Sequence, residues 1–502
     1  MHRPDARSTA RLLLLVAFAA GVIGDVVLDG PAPGINILLM TLLVVGLAWV
    51  VRRPGRAPDP ADAWLPLVAI VLAAGIALRA DPFVGFLDLA GAAAFTGASV
   101  VAFSGLAVTR RSLSTIIAMG LWVTGAALLG ILQLVSAARP PTGSARVTLP
   151  GWAGGLARGL VLAVPLVLIL AVLFASADPI FQARMDDLLG VRIDLGDVPG
   201  RILVIIGLTW LIAGLLGVAA HGIPAVELAP LGAAVPGPAL ASLRFLGTTE
   251  AIVILAGVDL VVGLFVGLQL AYLFGGLDTL AAAGMTYSDY ARRGYFELVA
   301  ASAISGGILV ALEYQVVRRT RTYLALAAGL VALTLVVLAS AALRLQLYQD
   351  AYGWTELRLY VAVSIVAMAA TLVTMAVFLL TDRTRWLGHV MAVIGVVALV
   401  GLNVISPPAF VAERNLARVI DPSLVPPGGY ASLDADYLGV LADDAIPAMV
   451  DALPRLPAAD ADTMRRILLL RRDELANEPA LASPFAWNLG RERARSALAT
   501  LR

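Results

Sequence analysis

Residues 359–380 read LYVAVSIVAMAATLVTMAVFLL, a stretch without one charged side chain. A helix needs about 20 mostly apolar residues to cross the hydrocarbon of a bilayer. Its apolar residues recur at neither a strand period nor a helix period, so no face is set aside for water. Backbone N–H and C=O groups cannot stay unpaired in hydrocarbon, so the stretch is predicted to be a spanning helix. Eleven further runs have the same character. Upstream they are predicted at Leu12–Leu28, Ile35–Val51, Trp64–Leu78, Phe83–Leu106, Leu113–Ala137, Leu160–Ala175, Ile202–Ala220, Glu250–Phe274, Phe296–Leu312 and Tyr323–Leu343; Trp386–Ile405 follows. The expected fold is an all-α polytopic transmembrane bundle of about 12 spans, with eleven to thirteen as the range.

Composition agrees. Of 502 residues 60% are hydrophobic and 14% charged, more apolar surface than a water-soluble core can take in. The net charge of +1 points to no nucleic-acid partner. Every basic residue is arginine. The absence of cysteine excludes disulfides, thiolate metal sites and cysteine nucleophiles. His2, His221 and His389 are too far apart in sequence to suggest a histidine metal site, so no metal and no cofactor is expected. Walker A, His-Glu-x-x-His, Gly-x-Ser-x-Gly and dinucleotide-type glycine patterns are also missing, and the expectation leans against an enzyme.

Arg3, Arg7 and Arg11 precede Ala17-Phe18-Ala19, but the apolar stretch between them is too short for a signal peptide, so the first run is predicted to stay as a span. The segment from His221 to Leu243 contains Pro224, Pro230, Pro236 and Pro238 and is predicted to be an interfacial or re-entrant loop. Residues 185–201 carry Asp186, Asp187, Asp194 and Asp197 and are predicted to form a loop with a short surface helix. Arginine-rich loops favour the cytoplasmic side. The clusters Arg52-Arg53-Arg56 and Arg110-Arg111 suit a cytoplasmic N-terminus. Arg318-Arg319-Arg321 and Arg383-Arg385 conflict with twelve spans unless one span is added or removed between Arg111 and Arg318. That change would put the C-terminal tail outside.

After Ile405, Pro407-Pro408 breaks the helix and charges become common. Helical patterns at Tyr437–Leu453, Ala459–Leu475 and Phe485–Leu501 predict a small helical domain over residues 406–502. Residues 1–158 would form an N-terminal membrane region of about five spans and 159–405 a membrane core of about seven.

Four signatures carry a family resemblance: Phe174-Ala175-Ser176-Ala177-Asp178-Pro179-Ile180-Phe181, then the segment from Tyr287 to Leu298, then Tyr352-Gly353-Trp354-Thr355-Glu356-Leu357-Arg358-Leu359-Tyr360. The fourth joins Glu413-Arg414-Asn415, Leu433-Asp434-Ala435-Asp436-Tyr437-Leu438 and Asp443-Asp444-Ala445-Ile446-Pro447. Together they resemble the bacterial membrane-protein family called domain of unknown function 4173, close to family 4153. The resemblance covers roughly Gly159 to Arg502, leaving the first spans as a variable extension. It implies an integral protein of a bacterial cytoplasmic membrane and no particular chemistry.

Polar groups in apolar runs need a reason, because a charge at the bilayer centre costs on the order of 3 kcal/mol or more. Asp25, Asp88, Glu250, Asp259 and Glu313 are such groups. Asp259 is the deepest, and is expected to be either paired or protonated, or part of an ion relay. Glu250 and Asp259 are about 13 Å apart in height on nearly opposite faces, so they cannot form a catalytic carboxylate pair. Asp178 with Pro179 suits a helix stop or a carboxylate facing a polar cavity. Asp289 lies where a capping box would start a span, and Asp289, Arg293 and Glu297 are spaced to pair along one helix face. Arg344, Glu356 and Arg358 are expected to form one interfacial cluster at a helical hairpin, with Glu356 screening the two arginines, beside an aromatic belt of Tyr348, Tyr352, Trp354 and Tyr360. The arginines would suit an anionic lipid or small anionic ligand.

The sequence supports two functional classes. One is a transporter or lipid-handling permease; the other is a non-catalytic envelope sensor or scaffold with the tail as its recognition part. A water-filled cavity reaching Asp259 would favour the first, and a groove on the tail the second.

Overall fold

The computed structural model describes residues 6–28, 32–52, 57–111, 113–138, 198–222, 247–274, 295–315, 319–427 and 429–501. Its α-helices are α1 (Ala6–Val27), α2 (Ile35–Val51), α3 (Trp64–Leu78), α4 (Pro82–Phe103), α5 (Leu113–Ala138), α6 (Val198–His221), α7 (Thr248–Phe274) and α8 (Tyr295–Gln315). Then come α9 (Arg321–Tyr352), α10 (Glu356–Leu380), α11 (Leu387–Ile405) and α12 (Pro407–Ile420). The series closes with α13 (Ala435–Val440), α14 (Ile446–Ala452), α15 (Ala458–Asn477) and α16 (Leu489–Leu498). Among the described residues ten helices are long and apolar enough to span a membrane, and α2 is a shorter apolar helix. The protein is therefore a multi-pass membrane protein with an all-helical bundle. Every predicted span on described residues overlaps one of these helices, with α9 running past its predicted end at Leu343; the span predicted at Leu160–Ala175 lies outside them.

Two sequence expectations change. Pro407-Pro408 ends one helix and also starts the next: Ser406 turns the chain with φ 55°, and the prolines occupy the first turn of α12, where a missing N–H costs nothing. The predicted run Tyr437–Leu453 is two helices, because the chain turns extended at Leu441 before a short 3₁₀ turn at Asp443–Ala445.

The chain forms two compact units. The smaller comprises residues 1–27 and 124–218. In it Arg201 donates to the buried Asp25 at 2.7 Å, so a carboxylate in the first span has its counter-ion. There α5 and α6 approach at Gly130 and Gly214; a Cβ on Gly214 would stand 2.5 Å from the Ala126 carbonyl oxygen. Small residues let helix backbones approach in lipid, where packing and not water exclusion holds helices together.

The larger unit comprises residues 28–123 and 219–502. One layer is α2, α3, α4 and α11, packed around Leu72, Ala73 and Ala92. Another is α7, α8, α9 and α10, around Leu255, Leu309, Leu330, Leu338 and Met375. Helices α3 and α11 run parallel: the Trp64 and His389 rings meet at one end, 5.1 Å apart, and Arg79 reaches the Asn403 carbonyl at the other. The tail has a water-soluble type of core of its own, built on Val411, Leu416, Ile446, Met449, Met464 and Leu468.

This arrangement gives the larger unit two chemically distinct ends. Trp64, Thr109, Arg110, Asp59, Trp386, Thr384 and Arg319 gather at one. The tail covers the other.

Candidate functional site

The densest polar constellation is the seam between the tail and the membrane helices. It follows from a general need: the last four carbonyls and first four N–H groups of a helix have no partner inside it. In hydrocarbon or under a protein cap, something else must satisfy them. The tail supplies the partners.

Arg418 of α12, only 8% exposed, closes the end of α9. Its guanidinium donates to the carbonyls of Asp350 at 2.6 Å and Ala351 at 3.1 Å, and to that of Tyr430 at 2.9 Å. A cation at a helix C-terminus also meets the negative end of the helix dipole. Burial lowers the Arg418 pKa from its ordinary value, opposed by the nearby Asp350.

Asn415, one turn earlier, pairs with both backbone groups of Trp354: it accepts the N–H at 2.8 Å and donates to the carbonyl at 2.8 Å. Gly353 makes room, since its φ of +83° and its distance of 2.8 Å from a hypothetical Cβ to Asn415 Oδ1 both exclude a side chain. Thr355 then caps α10, and the Glu356 N–H donates to the Tyr437 hydroxyl at 2.9 Å.

The second half of the seam holds α3 and α4. Asn488, which caps α16, donates to the carbonyls of Ile76 at 2.8 Å and Arg79 at 2.7 Å. Asp444 accepts the Ala80 N–H at 2.6 Å and faces Arg79 at 3.9 Å. Burial pushes the Asp444 pKa up from its ordinary 3.8, against the lowering by that N–H and by Arg79. Asp81 caps α4 by accepting from Phe83 and Val84, and its other oxygen accepts the Tyr360 hydroxyl at 2.8 Å. Arg491, whose pKa burial lowers, donates to the Pro33 carbonyl at 3.1 Å.

The residues singled out from sequence are placed unevenly. Asp178, Asp289 and Arg293 lie outside the described residues. Glu297 is exposed in the first turn of α8. Asp259 is half-buried on α7, and its buried Oδ1 has no hydrogen-bond partner among the described residues. Glu356 and Arg358 belong to the seam, but not as the expected ion cluster. No salt bridge among the described residues includes Glu356 or Arg358. Arg358 donates to the Gly353 carbonyl at 2.5 Å and lies over the Tyr348 ring at 3.9 Å. Arg344 does not end its helix, because α9 runs 32 residues to Tyr352. That leaves Arg344 about 12 Å short of the helix end, too far back to share a level with Glu356.

Sequence reasoning missed Arg79, Asp81, Asn403, Arg418 and Asn488. Asp81 before Pro82 was a legible helix start. Asn488 and Asn403 carry no charge, and an arginine in an amphipathic segment gives no hint that it will be buried. Two of the signatures quoted for the family resemblance meet here: the Tyr352-to-Tyr360 segment and the tail residues Asn415, Tyr437 and Asp444.

Three clefts are notable. One of about 470 Å³ between α2, α3 and α4 is lined by Trp49, Pro60, Asp62 and Phe103. One of about 420 Å³ between α10 and α11 is apolar throughout. The third, about 320 Å³, is a groove in the tail lined by Glu413, Leu416, Ile420, Asp451 and Arg455. None of the three is lined by Asp259. No group of histidine, cysteine or carboxylate residues among the described residues could hold a metal ion.

Comparison with curated proteins and with solved structures gives no match. The profile of one family, a domain of unknown function numbered 4153, matches residues 67–452. The match takes in α3 and α4, which the sequence reading placed in a variable extension, and ends inside the tail. The signatures resembled family 4173; the family that matches is its neighbour 4153, and the chain belongs to the family of domain of unknown function 4153.

Proposed function

We propose that the protein is a non-catalytic scaffold or sensor of a bacterial cytoplasmic membrane, with its N-terminus in the cytoplasm and its tail as an extracytoplasmic recognition part. The observation that carries this reading is the fastening of the tail onto helix ends, with a groove of its own on α12 and α14. A domain fixed through many backbone contacts presents that groove in one orientation to whatever the membrane face meets. Sidedness is supported by the arginines. Arg110, Arg319 and their neighbours gather at the end opposite the tail, and such loops favour the cytoplasm. An anionic group at the groove would have Arg455 to meet, beside Glu413 and Asp451.

The permease reading keeps one observation in its favour, the Asp259 oxygen that has no partner among the described residues. The absence of native cysteine makes the choice testable. Asp259→Cys in intact cells should resist a membrane-impermeant maleimide, while Asp451→Cys in the groove should react from outside. Rapid labelling at position 259 would return the protein to the permease class.

A further inference from the structure

We propose that Asp88 is a buried proton-binding site, a neutral carboxylic acid that donates its O–H to the side-chain carbonyl of Asn403. Asp88 is 0% exposed on α4, inside a predicted membrane span. Its polar partner is the Asn403 amide nitrogen of α11, 3.0 Å from Oδ1 and 2.9 Å from Oδ2. The same nitrogen donates to the Leu399 carbonyl at 3.1 Å. An amide has two N–H bonds, so only one is left for both carboxyl oxygens.

Asn403 has its own deficit. Its Oδ1 is buried and accepts no hydrogen bond among the described residues. An ionised Asp88 would therefore leave two defects in one place: a carboxylate with a single donor, and an amide carbonyl with none. Each is costly where no water can reach. One proton removes both, since it cancels the charge and supplies the missing donor. The geometry suits that proton. Asp88 Oδ2 and Asn403 Oδ1 face the same gap beside Gly75 of α3: a Cβ there would overlap the first and stand 2.8 Å from the second.

No cation among the described residues offsets the carboxyl. No salt bridge among the described residues includes Asp88. Helices α2 and α3, packed against α4, contain no titratable side chain, and α11 has only His389 at its far end. The charge that reaches Asp88 along its own helix is that of Asp81, another acid. The site is joined to the tail, since the Asn403 backbone carbonyl accepts Arg79 Nε at 2.5 Å and Arg79 faces Asp444.

Infrared difference spectroscopy of the full chain in lipid nanodiscs at neutral pH tests this. Wild type minus Asp88→Asn should show a protonated-carboxyl band that shifts down in D₂O, and Asn403→Leu should move that band up as its acceptor is lost. Asp88→Asn should melt within a few degrees of wild type, because its amide N–H replaces the acid O–H toward Asn403. A difference spectrum with carboxylate bands, or with no carboxyl band, would overturn the proposal. So would failure of Asp88→Asn to fold, which an ionised structural carboxylate predicts.

Discussion

Asn415 and Arg418 show how a single side chain can stand in for missing backbone partners. Asn415 engages both the N–H and the C=O of Trp354, as a neighbouring strand would. Asn415→Leu should leave two backbone groups unpaired and destabilise the tail's docking by about 2–4 kcal/mol, at roughly 1–2 kcal/mol for each. Faster cleavage between α11 and α12 by limited proteolysis would be the readout, and an unchanged cleavage rate would deny the role. Arg418→Lys should fail to rescue Arg418→Leu, because an ammonium lacks the planar fork that reaches separate carbonyls at once. Asp444 makes a pH-dependent contribution. Its folded pKa is raised above 3.8 by burial, so the folded state binds its proton more tightly than the unfolded chain. Stability from this group is fully present below the unfolded value and is lost as pH rises through the folded one. Wild type should thus lose melting temperature relative to Asp444→Asn as pH rises above about 4, the unfolded value. Parallel pH profiles for the two proteins would remove Asp444 from this account.

At the scale of elements, the length of α9 decides the most. Its 32 residues would measure about 48 Å, against about 30 Å of hydrocarbon. The excess turns carry Tyr348, Gln349 and Tyr352 beyond the span, where Arg358, Arg418 and Tyr430 receive them. Hydropathy could mark where the apolar part stopped near Leu343, but not that the helix continued, since exposed and capped turns are both polar. Helix contact in the smaller unit rests on the absence of side chains at Gly130 and Gly214. Gly214→Ala would put a Cβ 2.6 Å from the Ala127 Cα, a backbone atom that cannot rotate away. The expected cost is about 1–3 kcal/mol. A lower melting temperature in detergent would show it, and Gly207→Ala, which meets open space, should leave melting unchanged.

For the whole molecule, sidedness is the sharpest expectation. Alkaline phosphatase fused after Arg502 should be active and a green fluorescent fusion dark, whereas a cytoplasmic tail would reverse both. The bundle itself was legible in the sequence, because a run such as 359–380 has one stable state in a bilayer and its length is set by hydrocarbon thickness. Helix ends at Ile35, Trp64 and Ile405 were legible too, since glycine, proline and charge mark them. The seam was not. Which carbonyl Arg418 or Asn488 would reach depends on helices more than 60 and 400 residues away in sequence, and no local pattern records that distance. Hairpin logic placed Glu356 and Arg358 at the seam, but the Gly353 carbonyl and the Tyr348 ring that Arg358 meets there depend on how far α9 continues. Sequence alone determined the solvent, the helical class and most spans, through costs each segment bears by itself. Tertiary structure decided which end the tail covers and which buried polar atoms, such as Asp88 and Asn403, find each other, because those are properties of pairs of elements.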